Sequence, residues 1–297
     1  MRTAWTRLIR FVAVDDRIYR GEPIMPNPDY DLGQTTEETK LRAKVIAGDD
    51  IYDTTGATTV TDEIVVVRKL LGPVSSHDVP ILRCIGFNYR HHIKESGMSL
   101  PKFPVMFFKP STTVQDHGAA VIIPRICQDE QADYEGEICI VIGKDAKDVS
   151  ASRALEYVAA YTAGNDISSR KLQLDRELAG PLPQADFSKG FDTFAPLGPV
   201  LLSSTLVDDP KQLRLQTTVN GEVRQQGCAD DFIFSIEHLI EYLSTGTTLQ
   251  KGSIIMTGSP GGVGSRMQPP QWLTPNTQME VHVSGIGTLK NTVVFES

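Results

Sequence analysis

A β-rich α+β fold is the class this sequence predicts, and three features carry the expectation. Short apolar runs recur from residue 80 to the end, parted by clusters of Gly and Pro. Within that stretch only residues 151–160 and 235–243 carry apolar side chains at helical spacing. Asn220-Gly221 stands between two apolar runs and is a strong signal for a tight hairpin turn. Many strands with few helices give an α+β architecture.

The elements follow in chain order. Residues 1–75 read as a small N-terminal α/β module. Residues 8–14 and 17–19 suggest a hairpin around Asp15-Asp16, and the Pro/Asp/Gly-rich stretch 23–34 reads as loop. Residues 36–46 read as a short helix with Thr36 as its cap, and 63–71 as a strand ahead of Gly72-Pro73. Residues 76–297 form the larger, second domain. Its strands are expected at 82–87, 105–109, 120–123, 136–142, 197–202, 213–220, 253–257, 277–283 and 288–295. Its helices are expected at 151–160, capped by Ser150, and at 235–243.

Composition narrows the function. The chain has 297 residues, 40% of them hydrophobic, enough for one large domain with a small appendage. Net charge is −8, from 37 acidic against 29 basic residues, with no long basic run, so nucleic acid is not an expected partner. An acidic surface still admits anionic substrates, because a metal ion or a local Arg or Lys reverses the sign in one pocket. No apolar stretch approaches the ~18 residues of a membrane helix, so no membrane partner is expected. Cys84, Cys127, Cys139 and Cys228 form no CxxC pair and read as buried free thiols of an intracellular protein. Acids at Asp15 and Asp16 follow the basic N-terminal residues at once, so neither a secretory nor a transit peptide is read. A cytoplasmic location is expected, with the mitochondrion as the alternative.

The stretch DYEGEICIVIG (133–143) raises a chemical question. Glu135 and Glu137 head an apolar run that reads as a buried strand, and strand alternation points both side chains the same way. A solvated edge is the ordinary explanation of such a pair. The apolar continuation favours another: two close carboxylates stay ionised only with something positive between them. A hard divalent cation suits their oxygens. Asp166, in YTAGND (161–166), reads alone as a turn aspartate; with the glutamates it completes a three-carboxylate site. His92 and Glu95 lie three residues apart, so on a helical turn they share a face, either as a surface pair or as an imidazole oriented and made more basic by a carboxylate. Arg170 and Gln173 follow Asp166, and Lys189 lies in FSKGFD. Each basic group reads as an ordinary surface base or as a holder of an anionic substrate group. TGSPGGVG (257–264) lacks the Walker spacing and ending. It reads as a tight loop bringing backbone N–H groups to a small ligand.

Taken together, these stretches resemble the fumarylacetoacetate hydrolase family. In order they are GFNYRHHIKE (86–95), FFKPSTTV (107–114), DYEGEICIVIG (133–143), GNDISSRKLQ (164–173), KGFDTFAPLGP (189–199), VNGEVRQ (219–225), TGSPGGVG (257–264) and VSGIGTLKNTV (283–293). The likeness spans residues 80–295 and is greatest to the shorter branch, with its acylpyruvate hydrolases, oxaloacetate decarboxylases and tautomerases. It implies a mixed β-sheet roll or barrel core around Mg²⁺ or Mn²⁺, with Ca²⁺ as a further candidate, in a homodimer. It implies Glu135, Glu137 and Asp166 as metal ligands, His92 and Glu95 as a catalytic lid dyad, and Lys189 as a further catalytic group. Arg170, Gln173 and Thr257 fall on substrate-contacting positions. The implied activity is metal-dependent cleavage, by hydrolysis or decarboxylation, of a C–C bond in a β-keto acid, acylpyruvate or other 1,3-dicarbonyl, by way of an enolate. Enol–keto tautomerisation of oxaloacetate at the same site is the alternative, and a catalytically silent dimeric scaffold is the third reading. The chain departs from the family pattern at His91, where an acid is common, at Lys171, where Asp is common, and at Ser259, where Thr is common.

Overall fold

The structure is a computed structural model that describes residues 1–95 and 99–297, apart from the side chains of His92, Lys94 and Glu95. It is strand-rich, as expected. One eleven-stranded sheet runs in the order Ile18–Pro23, Arg42–Ala47, Thr59–Leu70, Arg7–Ala13, Ala195–Ser203, Val158–Asn165, Gly136–Ile142, Ile254–Met256, Leu82–Gly86 and Val105–Lys109. Val114–Gln115 pairs separately with Ala195–Ser203. A five-stranded sheet of Glu222–Cys228, Arg214–Val219, Gln278–Val283, Gly287–Phe295 and Ala120–Ile123 packs against it. The packing is close: a Cβ added to Gly136 of the first sheet would sit 2.0 Å from Thr217 Oγ1 of the second.

The N-terminal strands are hydrogen-bonded into this architecture. Arg7–Ala13 pairs with Ile18–Pro23 and Thr59–Leu70, and its start pairs with Ala195–Ser203 through Arg7↔Leu202 and Leu8↔Leu201. Asn220 and Gly221, both at positive φ (50° and 80°), make the tight turn between Arg214–Val219 and Glu222–Cys228.

Two expected helices are corrected. Over 36–46 the chain makes only a 3₁₀ turn, Glu37–Thr39, with Thr36 at its cap. It then enters the strand Arg42–Ala47, which is paired on both sides. Lys40 at φ 49° ends the turn, and β-branched Val45 and Ile46 take the extended backbone they favour. Residues 151–160 divide into a 3₁₀ helix, Ala151–Tyr157, and the start of the strand Val158–Asn165. That strand is buried at every residue, so its Ala-rich run lacks the alternation that marks a half-buried strand and imitates helical spacing. The helix Ile236–Ser244 forms as expected, and the Ser235 hydroxyl accepts from the His238 N–H.

Gly136–Ile142 is the central strand and is buried throughout. Its alternation feeds two cores: Ile138, Ile140 and Ile142 enter one, while Cys139 and Val141 enter the other. All four cysteines are free; three are buried and Cys228 is half-buried. Among the described residues no helix is long and apolar enough to cross a membrane.

Candidate active site

Backbone pairing explains why three acids distant in sequence meet. Gly136–Ile142 and Val158–Asn165 are antiparallel neighbours with Gly136 opposite Asn165. The residues just beyond that rung are Glu135, ahead of one strand, and Asp166, after the other, and the Asp166 N–H donates to the Glu135 carbonyl at 2.8 Å. Glu137, one rung inside, faces the same way as Glu135. All three carboxylates line one cavity of about 290 Å³. Glu137 and Asp166 are 2% and 1% exposed.

Cations are packed among these acids. Lys189, at the end of the short helix Ala185–Lys189, donates from Nζ to Glu135 Oε2 and to Asp166 Oδ2, the latter at 2.5 Å. Lys109, at the end of the edge strand Val105–Lys109, is fully buried. Its Nζ donates to Asp166 Oδ1 at 2.5 Å and to the carbonyls of Phe194 and Ile167 at 2.7 and 3.2 Å. Arg170 donates from Nε to Asp133 Oδ2 at 2.8 Å and from Nη1 to Gln173 Oε1 at 3.1 Å. Its Nη2 makes a 3.0 Å ion-pair contact with Glu135 Oε1 without hydrogen-bond alignment. Asp133 is itself anchored, since its two oxygens accept from the N–H groups of Gly264 and Ser265 at 2.8 and 3.1 Å.

The two glutamates therefore differ electrostatically. Burial would raise the Glu135 carboxyl, but the Arg170 and Lys189 cations outweigh it and hold Glu135 well below the usual carboxylate range. Glu137 is pushed well above that range, first by burial and then by Asp166 and Glu135. Among the described residues its side chain has one hydrogen-bond donor, the Gly258 N–H at 2.7 Å. Gly258 reaches it at φ +96°, a backbone that side chains resist, and a Cβ there would lie 3.0 Å from Ile85 O. Lys189 is pushed down by burial but raised on balance by Asp166 and Glu135, so it stays an ammonium.

Among the described residues no three His, Cys, Asp or Glu side chains converge as ligands around one point; the Lys189 ammonium lies between Glu135 and Asp166. The residues nonetheless fit a hard divalent cation. The donor set is carboxylate oxygen, and buried Glu137 faces two other acids with one N–H for compensation.

Gln173 lines the cavity beside Arg170. Thr257 is fully buried and its hydroxyl donates to Ile138 O at 2.8 Å. It is Ser259, two residues on, that lines the cavity, with Oγ 3.4 Å from Glu135 Oε1. Buried Asn88 ties the start of the GFNYRHH segment to this loop, donating to Thr257 O at 2.9 Å and Phe234 O at 3.2 Å. His92 and Glu95 lie on the helix Arg90–Glu95, but their side chains fall outside the described residues. Lys109 and Asp133 were assigned no role from sequence. The signal for Lys109 is a lysine closing an apolar strand, and for Asp133 an acid two residues ahead of the Glu-x-Glu pair.

The comparisons with known proteins agree with this architecture. Residues 82–294 match the family model described as "Fumarylacetoacetate (FAA) hydrolase C-terminal". A caffeoylpyruvate hydrolase of Neonothopanus nambi is 39% identical, over 99% of this chain and 95% of that protein. The oxaloacetate tautomerase YisK of Bacillus subtilis is 41% identical, over 76% of this chain and 73% of that protein. The crystal structure of 2-hydroxyhepta-2,4-diene-1,7-dioate isomerase from Mycobacterium marinum superposes with a TM-score of 0.75 at 29% identity, covering 98% of this chain and 99% of that one.

Proposed function

The chain belongs to the fumarylacetoacetate hydrolase family, and from that premise we propose that it is a divalent-metal-dependent hydrolase of a C–C bond in an acylpyruvate or related 1,3-dicarbonyl acid. The observation that carries the reading is the set of buried carboxylates, incompletely balanced by cations, at the floor of a cavity whose remaining wall is mostly apolar. The near full-length likeness to a protein named for hydrolysis of an acylpyruvate supports it.

Glu135, Glu137 and Asp166 would hold Mg²⁺ or Mn²⁺, with Ca²⁺ as the further candidate. Bound there, the cation supplies Lewis-acid polarisation of the substrate's carbonyl oxygens. Lys189, kept cationic, donates to the oxygen that gains charge as the C–C bond breaks. Arg170 and Gln173 orient the substrate carboxylate. His92, with Glu95 as its partner on the same helix, deprotonates the attacking water. Lys109 touches no substrate in this scheme; it holds Asp166 in place.

A homodimer is part of the proposal. Met106 and Phe108 are exposed on the edge strand of the large sheet, and an uncovered apolar edge invites pairing. Light scattering at a mass near twice 32.6 kDa would support it, and a monomer at micromolar concentration would remove it.

Oxaloacetate tautomerisation is the second reading, favoured by the 41% identity to a protein named for it. One assay separates the two. Pyruvate and free acid released from an acylpyruvate, abolished by EDTA and restored by Mg²⁺, support the hydrolase. Loss of oxaloacetate enol absorbance without CO₂, and no acylpyruvate cleavage, supports the tautomerase.

A further inference from the structure

The floor and the mouth of the cavity are built from different residues. Floor cations are engaged: Lys109 and Lys189 by carboxylates, Arg170 by Asp133 and Gln173. The mouth holds another guanidinium, that of Arg266, which lines the same cavity and is exposed. Among the described residues its side chain has no acceptor within hydrogen-bond or ion-pair reach. Its backbone is nonetheless held in place. Arg266 closes the 3₁₀ turn Gly264–Arg266, whose first two N–H groups are fastened to buried Asp133 at 2.8 and 3.1 Å, and its own N–H donates to Val263 O at 3.1 Å. Among the described residues the exposed cavity wall beside it is mostly apolar: Phe87, Val105 and Leu174 are 44%, 44% and 56% exposed, with buried Val263 and half-buried Ser265 also lining the cavity.

A site with a charged floor, an apolar collar and an anchored cation at the rim has a defined complement. We propose that Arg266 is a specificity-determining residue that reads an oxygen acceptor at the far end of the substrate's acyl arm. The arm itself is aromatic or otherwise apolar and lies along Phe87, Leu174 and Val263. This rests on the acylpyruvate reading for the head of the molecule. The acceptor is a phenolic hydroxyl or a carboxylate, both of which take hydrogen bonds from a guanidinium. A small dicarboxylate held at the floor leaves Arg266 without a partner.

The test uses N-aryl oxamates, which carry a dicarbonyl head and an aryl arm but lack the cleavable C–C bond. Calorimetry in Mg²⁺ compares N-phenyl, N-(4-hydroxyphenyl) and N-(4-carboxyphenyl) oxamate on the wild type and on Arg266→Ala, Arg266→Gln and Arg266→Lys. The wild type is expected to bind one or both substituted arms roughly threefold to tenfold tighter than the plain phenyl arm. That ratio should collapse towards one in Arg266→Ala and Arg266→Gln and be partly restored in Arg266→Lys. Which substituent carries it identifies the acceptor. A wild type without the preference, a preference that survives Arg266→Ala, or no binding by any oxamate overturns the inference. The matching aroylpyruvates are assayed in parallel for kcat/KM. If none is cleaved while the oxamate ratio behaves as expected, the hydrolase reading fails and the Arg266 inference stands.

Discussion

The floor and the mouth of the cavity follow opposite physical rules. On the floor the charged side chains are at most 16% exposed, and their neighbours are chosen by charge. Four acids (Asp133, Glu135, Glu137 and Asp166) face three bases (Lys109, Lys189 and Arg170). At the mouth the exposed side chains among the described residues are apolar (Phe87, Val105 and Leu174), with the guanidinium of Arg266 beside them. Buried charges are costly to place and more costly to leave unpaired, so the floor is strained towards one composition. Exposed apolar groups cost little to change. In the proposed function the floor would set which bond is attacked, and the mouth which molecule is admitted.

The largest expected break in that comparison is Lys109→Met. It removes a fully buried cation from a fully buried carboxylate, and breaking such a pair should destabilise the protein by roughly 3 kcal/mol or more. Urea denaturation monitored by tryptophan fluorescence checks it. A loss under about 1 kcal/mol would show that Lys189 alone satisfies Asp166.

Acid denaturation sharpens the comparison by isolating a buried ionisable group that belongs to neither region. His117 is buried, and its Nδ1 accepts from the Lys290 N–H at 3.2 Å. Burial, assisted by Lys290, lowers its pKa from 6.5 to about 4. The unfolded chain therefore takes up this proton first as pH falls. The contribution is fully present above pH 6.5 and is lost as pH falls from 6.5 towards 4, where the folded state also protonates. Between pH 7 and 5 it amounts to roughly 2 kcal/mol. His117→Gln, compared with wild type by denaturation at both pH values, should abolish that part of the decline. An unchanged decline would assign the acid sensitivity to the floor.

The smallest expected effect is at the mouth. Leu174→Ala, at a side chain 56% exposed, should change stability by no more than about 0.5 kcal/mol. It should raise KM for long-armed substrates about twofold or threefold, with little change in kcat. A large fall in kcat would mean that the collar positions the reacting end as well.

Much of this was legible in the sequence, for identifiable reasons. Glu135 and Glu137 stood out because a two-residue period beside a wholly apolar strand leaves the pair no other face to occupy. Asp166 alone reads as a turn aspartate and joins them only as a third carboxylate of matching chemistry, because its position depends on the Gly136↔Asn165 register, a long-range pairing. Lys109 was not legible: a lysine at a strand end normally reaches solvent, and only the fold turns this one inward. The start of Val158–Asn165 was misread because an alanine-rich strand buried on both faces has no two-residue signature. Arg266 lay in a Gly- and Pro-rich loop, where no periodicity indicates which way a side chain points.

The proposed divalent-cation site depends most on Glu137, buried against two other acids with one N–H for a partner among the described residues. Titration with Mn²⁺, followed by the paramagnetic resonance signal of the free ion, tests it on wild type and on Glu137→Gln. One ion per wild-type chain, and binding at least roughly a hundredfold weaker in the variant, are expected. The variant's thermal midpoint without metal should be no lower than wild type, because the amide removes a buried charge conflict. A wild type that binds no ion at millimolar Mn²⁺, or a Glu137→Gln variant that binds as tightly as wild type, would contradict it.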